Sequence, residues 1–357
     1  MQPSNSHILS IEMLASSLPE FDAIIDVRTP AEFDLDHIPG AINLPVLSNE
    51  ERIEIGTLYK QASPFVAKKL GAAYVSRNIA NHLENSLIDF PREWRPLIYC
   101  WRGGERSGAF THILNRIGWK ALQLQSGYQG FRRVVINDLD QAAKDFSFQV
   151  IAGMTGSGKT RILQEIGLLG QQILDLESLA IHRGSVLGNE PNIEQPSQKG
   201  FETNLWNALN SLDPSKIVFV ESESKKVGGV HIPDPLMERI RGGQCIELRS
   251  STHTRVSWLL REYEHFLSNP ESFKEKLSLL TSRYGKEQIS KWHAAIDARD
   301  FESLVEELLV MHYDPSYQSS IVRNFPSYRE EHFVQLENDS DEAFAKTAKD
   351  LITKLGL

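Results

Sequence analysis

Short apolar runs of strand type recur along the chain, and most are followed by a stretch with helical spacing. The runs are Ala23-Ile24-Ile25-Asp26-Val27, Pro96-Leu97-Ile98-Tyr99, residues 148–152, Ile217-Val218-Phe219-Val220-Glu221 and Gln244-Cys245-Ile246-Glu247-Leu248. Continuous apolar runs of this length suit strands buried on both faces, as in parallel sheets covered by helices. Gln172-Ile173-Leu174-Asp175-Leu176-Glu177 adds a strand ending in acids, and 118–124 a turn and strand. Helices are predicted over 8–18, 50–70, 74–85 and 107–117. Thr29 and Pro30 suit the cap and first position of another. Residues 195–211 read as a polar loop and then a helix carrying Phe201, Leu205 and Leu209 on one face. From 254 onward the spacing predicts helices over 255–267, 272–282, 286–298, 301–312 and 341–355, with breaks at Ser268-Asn269-Pro270 and Tyr313-Asp314-Pro315. This order predicts an α/β chain: a first domain over 1–136, a polar linker over 137–147, a second parallel-sheet domain over 148–250, and a helical C-terminal region, 251–357, packing on the second domain.

A length of 357 residues agrees with more than one core. No apolar run reaches the length of a membrane span, and residues 1–10 lack a charged start followed by an apolar block, so a cytoplasmic protein is expected. Two cysteines in different contexts exclude a disulfide scaffold. Cys245, inside a strand, reads as core. The net charge of −9 argues against broad nucleic-acid binding, yet basic residues gather locally, at Arg132 and Arg133, at Lys225 and Lys226, and around Arg255.

Two stretches carry chemistry. Gly153-Met154-Thr155-Gly156-Ser157-Gly158-Lys159-Thr160 lies between a strand and a helix, the setting that the pattern G-x-x-x-x-G-K-[ST] requires. Gly153, Gly156 and Gly158 can turn backbone N–H groups inward at a positive helix end, with Thr155 and Ser157 completing the concave site. Lys159 is then placed to reach terminal phosphates and Thr160 to hold magnesium. Glu221 ends an apolar strand as the second motif of such sites does, although Asp is usual there, and Asp175 is a further candidate.

The other stretch is Cys100-Trp101-Arg102-Gly103-Gly104-Glu105-Arg106-Ser107, at the tip of a strand and before a helix. A helix N-terminus and nearby arginines favour the thiolate, so Cys100 reads as a nucleophile with Arg102 and Arg106 beside it. The C-x5-R-S spacing allows either a persulfide carrier or a cysteine-dependent phosphatase. Tyr99 stands where the phosphatase signature has a histidine.

Asp26-Val27-Arg28 followed by His37-Ile38-Pro39-Gly40-Ala41, with Ser126-Gly127-Tyr128-Gln129-Gly130-Phe131 downstream, resembles the rhodanese domain. Joined to the phosphate loop, to 176–185, to Glu221-Ser222-Glu223-Ser224-Lys225-Lys226 and to His231-Ile232-Pro233, the chain resembles the bacterial tRNA 2-selenouridine synthase family over nearly its full length, and the long cysteine loop is a hallmark of that family. The resemblance implies a rhodanese-like domain fused to a P-loop domain. It implies a transferase acting on the wobble 2-thiouridine in the anticodon region of tRNA. Its substrates would be geranyl diphosphate, which alkylates the sulfur, and selenophosphate, which replaces the alkylated sulfur with selenium. By the same resemblance Cys100 receives or guides the selenium donor, and no tightly bound cofactor is expected besides magnesium. Arg132, Arg133, Lys225, Lys226 and Arg255 are the expected tRNA contacts, in a seam between the domains. Two other readings fit the motifs: a nucleotide-dependent kinase or regulatory NTPase with a rhodanese module, and a non-catalytic tRNA-binding or sulfur-relay scaffold.

Overall fold

The computed structural model describes residues 7–13, 18–185, 187–191 and 193–357. It divides into two compact units, Met1–Asp138 with Lys199–Asn207, and Leu139–Gln198 with Ala208–Leu357.

The first unit is built on a five-stranded parallel sheet in the order Ile8–Leu9, Leu122–Leu124, Pro96–Tyr99, Ala23–Asp26, Ala41–Asn43. The two strands read from unbroken apolar runs take neighbouring interior positions, and the side chains of Ile25, Leu97, Ile98 and Tyr99 are fully buried. Ile8–Leu9 pairs as an edge strand where a helix over 8–18 was expected. Residues 14–17 of that expected helix lie outside the described residues. The stretch expected as a linker, 137–147, is instead the end of a helix, Gly127–Asp145, and the start of the next strand. Its polar residues mark the outer face of a helix whose Phe131, Val135 and Leu139 point into the core.

Thr29 caps Pro30–Leu35 in a full capping box with Glu32. Just before it lies a buried ion pair. Arg28 Nε donates to Asp26 Oδ2 at 2.9 Å, and the guanidinium also donates to the Asp36 carbonyl at 2.7 Å and stacks 3.8 Å over the Tyr128 ring. Tyr128 donates in turn to Asp36 Oδ2 at 2.8 Å, and Arg132 lies 3.5 Å from the same carboxylate. Asp26 and Arg28 are therefore interior scaffold. Arg28→Met should lower unfolding free energy by about 3–5 kcal/mol in urea titration, because it strands a buried carboxylate. A loss below about 1 kcal/mol would mean that water reaches Asp26.

The second unit holds another five-stranded parallel sheet, in the order Phe333–Gln335, Gln244–Arg249, Ser147–Ala152, Ile217–Glu221, Gln172–Leu174. The strand leading into the phosphate loop is central. Cys245 is buried in its neighbour, and burial pushes its thiol up. The C-terminal region is not wholly helical, since Phe333–Gln335 forms an edge of this sheet and Asp341–Leu355 packs Phe344, Ala348 and Leu351 into its core. Around Tyr313-Asp314-Pro315 a break was expected, yet a π-helical turn over Leu309–Tyr313 runs directly into a helix, Asp314–Asn324. Proline is tolerated at a first helical turn, where its missing N–H has no intrahelical partner, so here it starts a helix. Lys226–Val227 and Val230–His231 form a small antiparallel hairpin. No helix among the described residues is long and apolar enough to cross a membrane.

Candidate functional site

In the second unit the phosphate loop joins Ser147–Ala152 to the helix Lys159–Leu168. Gly158 sits at the helix N-cap with φ +82°, and a Cβ there would fall 2.5 Å from the Phe344 ring, so only glycine fits. Lys159 Nζ donates to the Gly153 carbonyl at 2.8 Å, folded over its own loop, while Gly153 N donates to Tyr317 Oη at 2.6 Å. Thr160 Oγ1 donates to Glu177 Oε2 at 3.1 Å. Ser157 Oγ is buried without a hydrogen-bond partner. The loop borders a cavity of about 720 Å³ whose wall includes Thr155, Gly156, Gly158, Lys159, Thr160, Glu177 and Tyr317.

Opposite Thr160 stand three carboxylates. One oxygen each from Glu177, Glu221 and Glu223 lies within 4.8 Å of the others. Glu221 ends its strand as expected and has one carboxylate oxygen buried with no partner. Asp175 is not in this group. It caps the helix Leu176–Ala180, one carboxylate oxygen accepting from Ser178 N at 2.8 Å, and it borders the same cavity. Glu177, two residues on, takes the place expected for Asp175. Nothing in the local sequence pattern separates Glu223 from a surface acid.

Burial, then the charges of Glu221 and Glu223, push Glu177 up to about 10. Burial likewise raises Glu221 to about 8 against the opposing pull of Lys159, and Glu223 is raised by burial too. Crowded, desolvated carboxyls that prefer their protons are the complement of a hard divalent cation, which takes oxygen ligands and supplies the missing charge. The fit to magnesium rests on the orphaned Glu221 oxygen and on Thr160 beside Glu177. A carboxyl raised in the folded state contributes stability that is complete below its unfolded value and is lost as pH rises through the folded one. The metal-free protein should therefore lose melting temperature from about pH 5 to about pH 8, and magnesium should restore more of it at the higher pH. Melting curves that stay flat across this window and ignore magnesium would exclude a cation site.

In the first unit Cys100 follows the strand Pro96–Tyr99, and the loop beyond it ends at Gly104, the N-cap of Glu105–Ile117, with φ +79°. Ser107 Oγ donates to Cys100 Sγ at 3.3 Å, and Gln123 Nε2 donates to the Gly104 carbonyl and to Ser107 Oγ, each at 3.0 Å. Tyr128 N donates to the Cys100 carbonyl at 2.8 Å. The cysteine is only 2% exposed, whereas Trp101, Arg102 and Gly103 of its loop are exposed. Arg106 is turned to Glu32, at 3.1 Å, and overcomes the effect of burial to hold that carboxyl below its usual range. Its hold on Glu32 fixes the loop from outside.

Two of the basic residues expected to meet tRNA are interior. Arg132 is paired with Asp36 and Glu202 and donates to Thr203 Oγ1 at 3.0 Å. Arg255 bonds Asp314 and donates to the Thr155 carbonyl at 2.8 Å, bracing the phosphate loop from behind. Neither is available to a phosphate backbone, because a charge so buried is held by its internal partners. Lys225 is half exposed and paired with Asp234, and Arg133 and Lys226 are exposed.

A parallel sheet that delivers a glycine-rich cradle to a helix N-terminus, faced by strand-end acids, defines a P-loop phosphate-binding unit, here carried on the same chain as a rhodanese-like unit. A family model for the tRNA 2-selenouridine synthase AAA domain matches residues 146–339, and one for the rhodanese-like domain matches 11–133. The tRNA 2-selenouridine synthase of Sulfurovum sp. NBC37-1 is 30% identical over 330 residues, covering 84% of this chain and 89% of that protein. The protein of the same name from Shewanella halifaxensis is 31% identical over 329 residues, covering 84% and 88%. That of Nitrosomonas europaea is 37% identical over 244 residues, a match to 67% of this chain that spans only 63% of the relative's length. The chain belongs to the tRNA 2-selenouridine synthase family.

Proposed function

We propose that the protein replaces the sulfur of a wobble 2-thiouridine in tRNA by selenium, in two steps that use different pockets. In the first, the thiouridine sulfur attacks C1 of geranyl diphosphate, a C–S bond forms, and the C–O bond breaks to release diphosphate. Lys159 leaves the Gly153 carbonyl to meet the leaving group, and the backbone N–H groups of 156–160 receive its oxygens. Thr160, Glu177, Glu221 and Glu223 would hold magnesium, which neutralises diphosphate charge when bound. In the second step the selenium of selenophosphate adds at C2 of the base and the C–S bond breaks to expel geranylthiol, after which water cleaves the Se–P bond and releases phosphate. Alkylation matters because a neutral thiol leaves where a bare sulfide dianion would not.

Cys100 is assigned to the selenium donor. Ser107 steadies its sulfur, and Arg102, exposed on the loop, is placed to attract an anionic donor. Of the basic residues expected to meet tRNA, Arg133 and Lys226 are exposed for its phosphates, and Lys225 would have to exchange Asp234 for one. The observation that carries the reading is the presence, on one chain, of a cysteine whose loop closes on a helix N-terminus and of a separate glycine-rich loop faced by carboxylates. Nucleoside mass spectrometry of 2-thiouridine tRNA tests it, after incubation with geranyl diphosphate, with and without selenophosphate. Conversion first to the S-geranyl and then to the seleno form is expected. Unchanged tRNA mass, or fast ATP or GTP hydrolysis without tRNA, would transfer the case to a binding scaffold or a nucleotidase.

A further inference from the structure

Beside the phosphate cradle opens a second, narrow cavity of about 50 Å³ walled almost wholly by hydrocarbon. Thr155, Leu259, Tyr263 and Tyr313 border both it and the polar cavity, so the two spaces meet at the phosphate loop. Leu267, Phe273 and Val305 line the narrow slot alone. Phe273 also stacks on Phe266, their ring centroids 5.2 Å apart. A nucleotide base placed there would bury its ring donors and acceptors without partners, a cost of several kcal/mol. Water gains nothing in such a slot either, since it needs two or more polar partners. A charged head in the cradle and an alkyl tail in the slot satisfy both surfaces at once.

We propose that the slot holds the far end of the hydrocarbon tail of the diphosphate substrate, since about 50 Å³ admits only a few of its carbons, and that Val305 and Phe273 set the tail length accepted. This rests on the prenyl-transfer reading above. It assigns specificity to the helical C-terminal region, whose helices Glu264–Ser268, Pro270–Ser278 and Phe301–Leu308 supply Leu267, Phe273 and Val305.

The test is calorimetric binding of inorganic diphosphate and of dimethylallyl, geranyl and farnesyl diphosphates, each with magnesium, to the full chain and its variants. Wild type should bind geranyl diphosphate roughly tenfold or more tighter than inorganic diphosphate. Val305→Phe, at a half-buried position, should erase most of that advantage while inorganic diphosphate binding stays within about twofold. Phe273→Ala should shift preference toward farnesyl. Should Val305→Phe fail to bind inorganic diphosphate or melt early, Leu267→Phe fills the same slot from another helix. An unchanged ratio of geranyl to inorganic diphosphate affinity in a folded filling variant overturns the slot while leaving the cradle in place. Wild type that binds none of the four ligands overturns the prenyl-transfer reading itself, and the slot with it.

Discussion

Replacement of Cys100 by alanine is expected to abolish selenation while S-geranyl-uridine accumulates in the tRNA. The thiol lies in the first unit, against Ser107, and no group of the phosphate cradle belongs to that unit. Loss of the sulfur should therefore spare the alkylation that precedes it. The site is tightly packed, so Cys100→Ser is the companion variant. It keeps nearly the same volume and a partner for Ser107, yet lacks a soft nucleophile, and should behave like alanine in mass-spectrometric product analysis. Equal loss of both products in a folded Cys100→Ser protein would refute the division of labour. Full selenation in it would leave the thiol without a chemical role.

Lys159→Ala should act at the other end of the sequence. Removing a cation aimed at a departing diphosphate costs about 100-fold to 1,000-fold in comparable charge-stabilising sites, so geranylation should fall by that factor. Selenation of tRNA geranylated beforehand should continue. Lys159→Arg is expected to recover little, since the loop accepts a compact ammonium, folded now over Gly153. Assays started from 2-thiouridine tRNA and from the S-geranyl form separate the two steps. A defect of equal size in both would place Lys159 in folding or in tRNA binding.

Both candidate sites were legible because each is contiguous in sequence. The spacing from Gly153 to Thr160 and from Cys100 to Ser107 is itself the geometry, a loop of fixed length closing on a helix N-terminus. The carboxylates facing the cradle were not legible in full. Glu177 lies in the first turn of a short helix, and only the pairing of neighbouring strands brings it beside Glu221, while Glu223, just beyond the end of the Glu221 strand, has no local pattern that turns it inward. Asp175 looked the better candidate because it sits where the strand stops, but a carboxylate at that point is equally fit to cap the next helix. The charges of Arg132 and Arg255 were misread for a related reason. Their partners Glu202 and Asp314 are distant in sequence, and an arginine with a distant acid looks identical to one with none. The apolar slot left no signature, since leucines and phenylalanines around a void follow the same helical spacing as those around a filled core.

The fit of the Phe344 ring against Gly158 bears on how the protein comes to be made. Residue 344 belongs to the last helix, and the strand at 333–335 joins the sheet only shortly before it. While the ribosome is still translating that stretch, the nascent chain has its glycine loop but lacks the aromatic side chain that backs it. The glycine loop would thus gain its backing only after synthesis has passed this point, and early termination anywhere upstream would leave the loop unsupported.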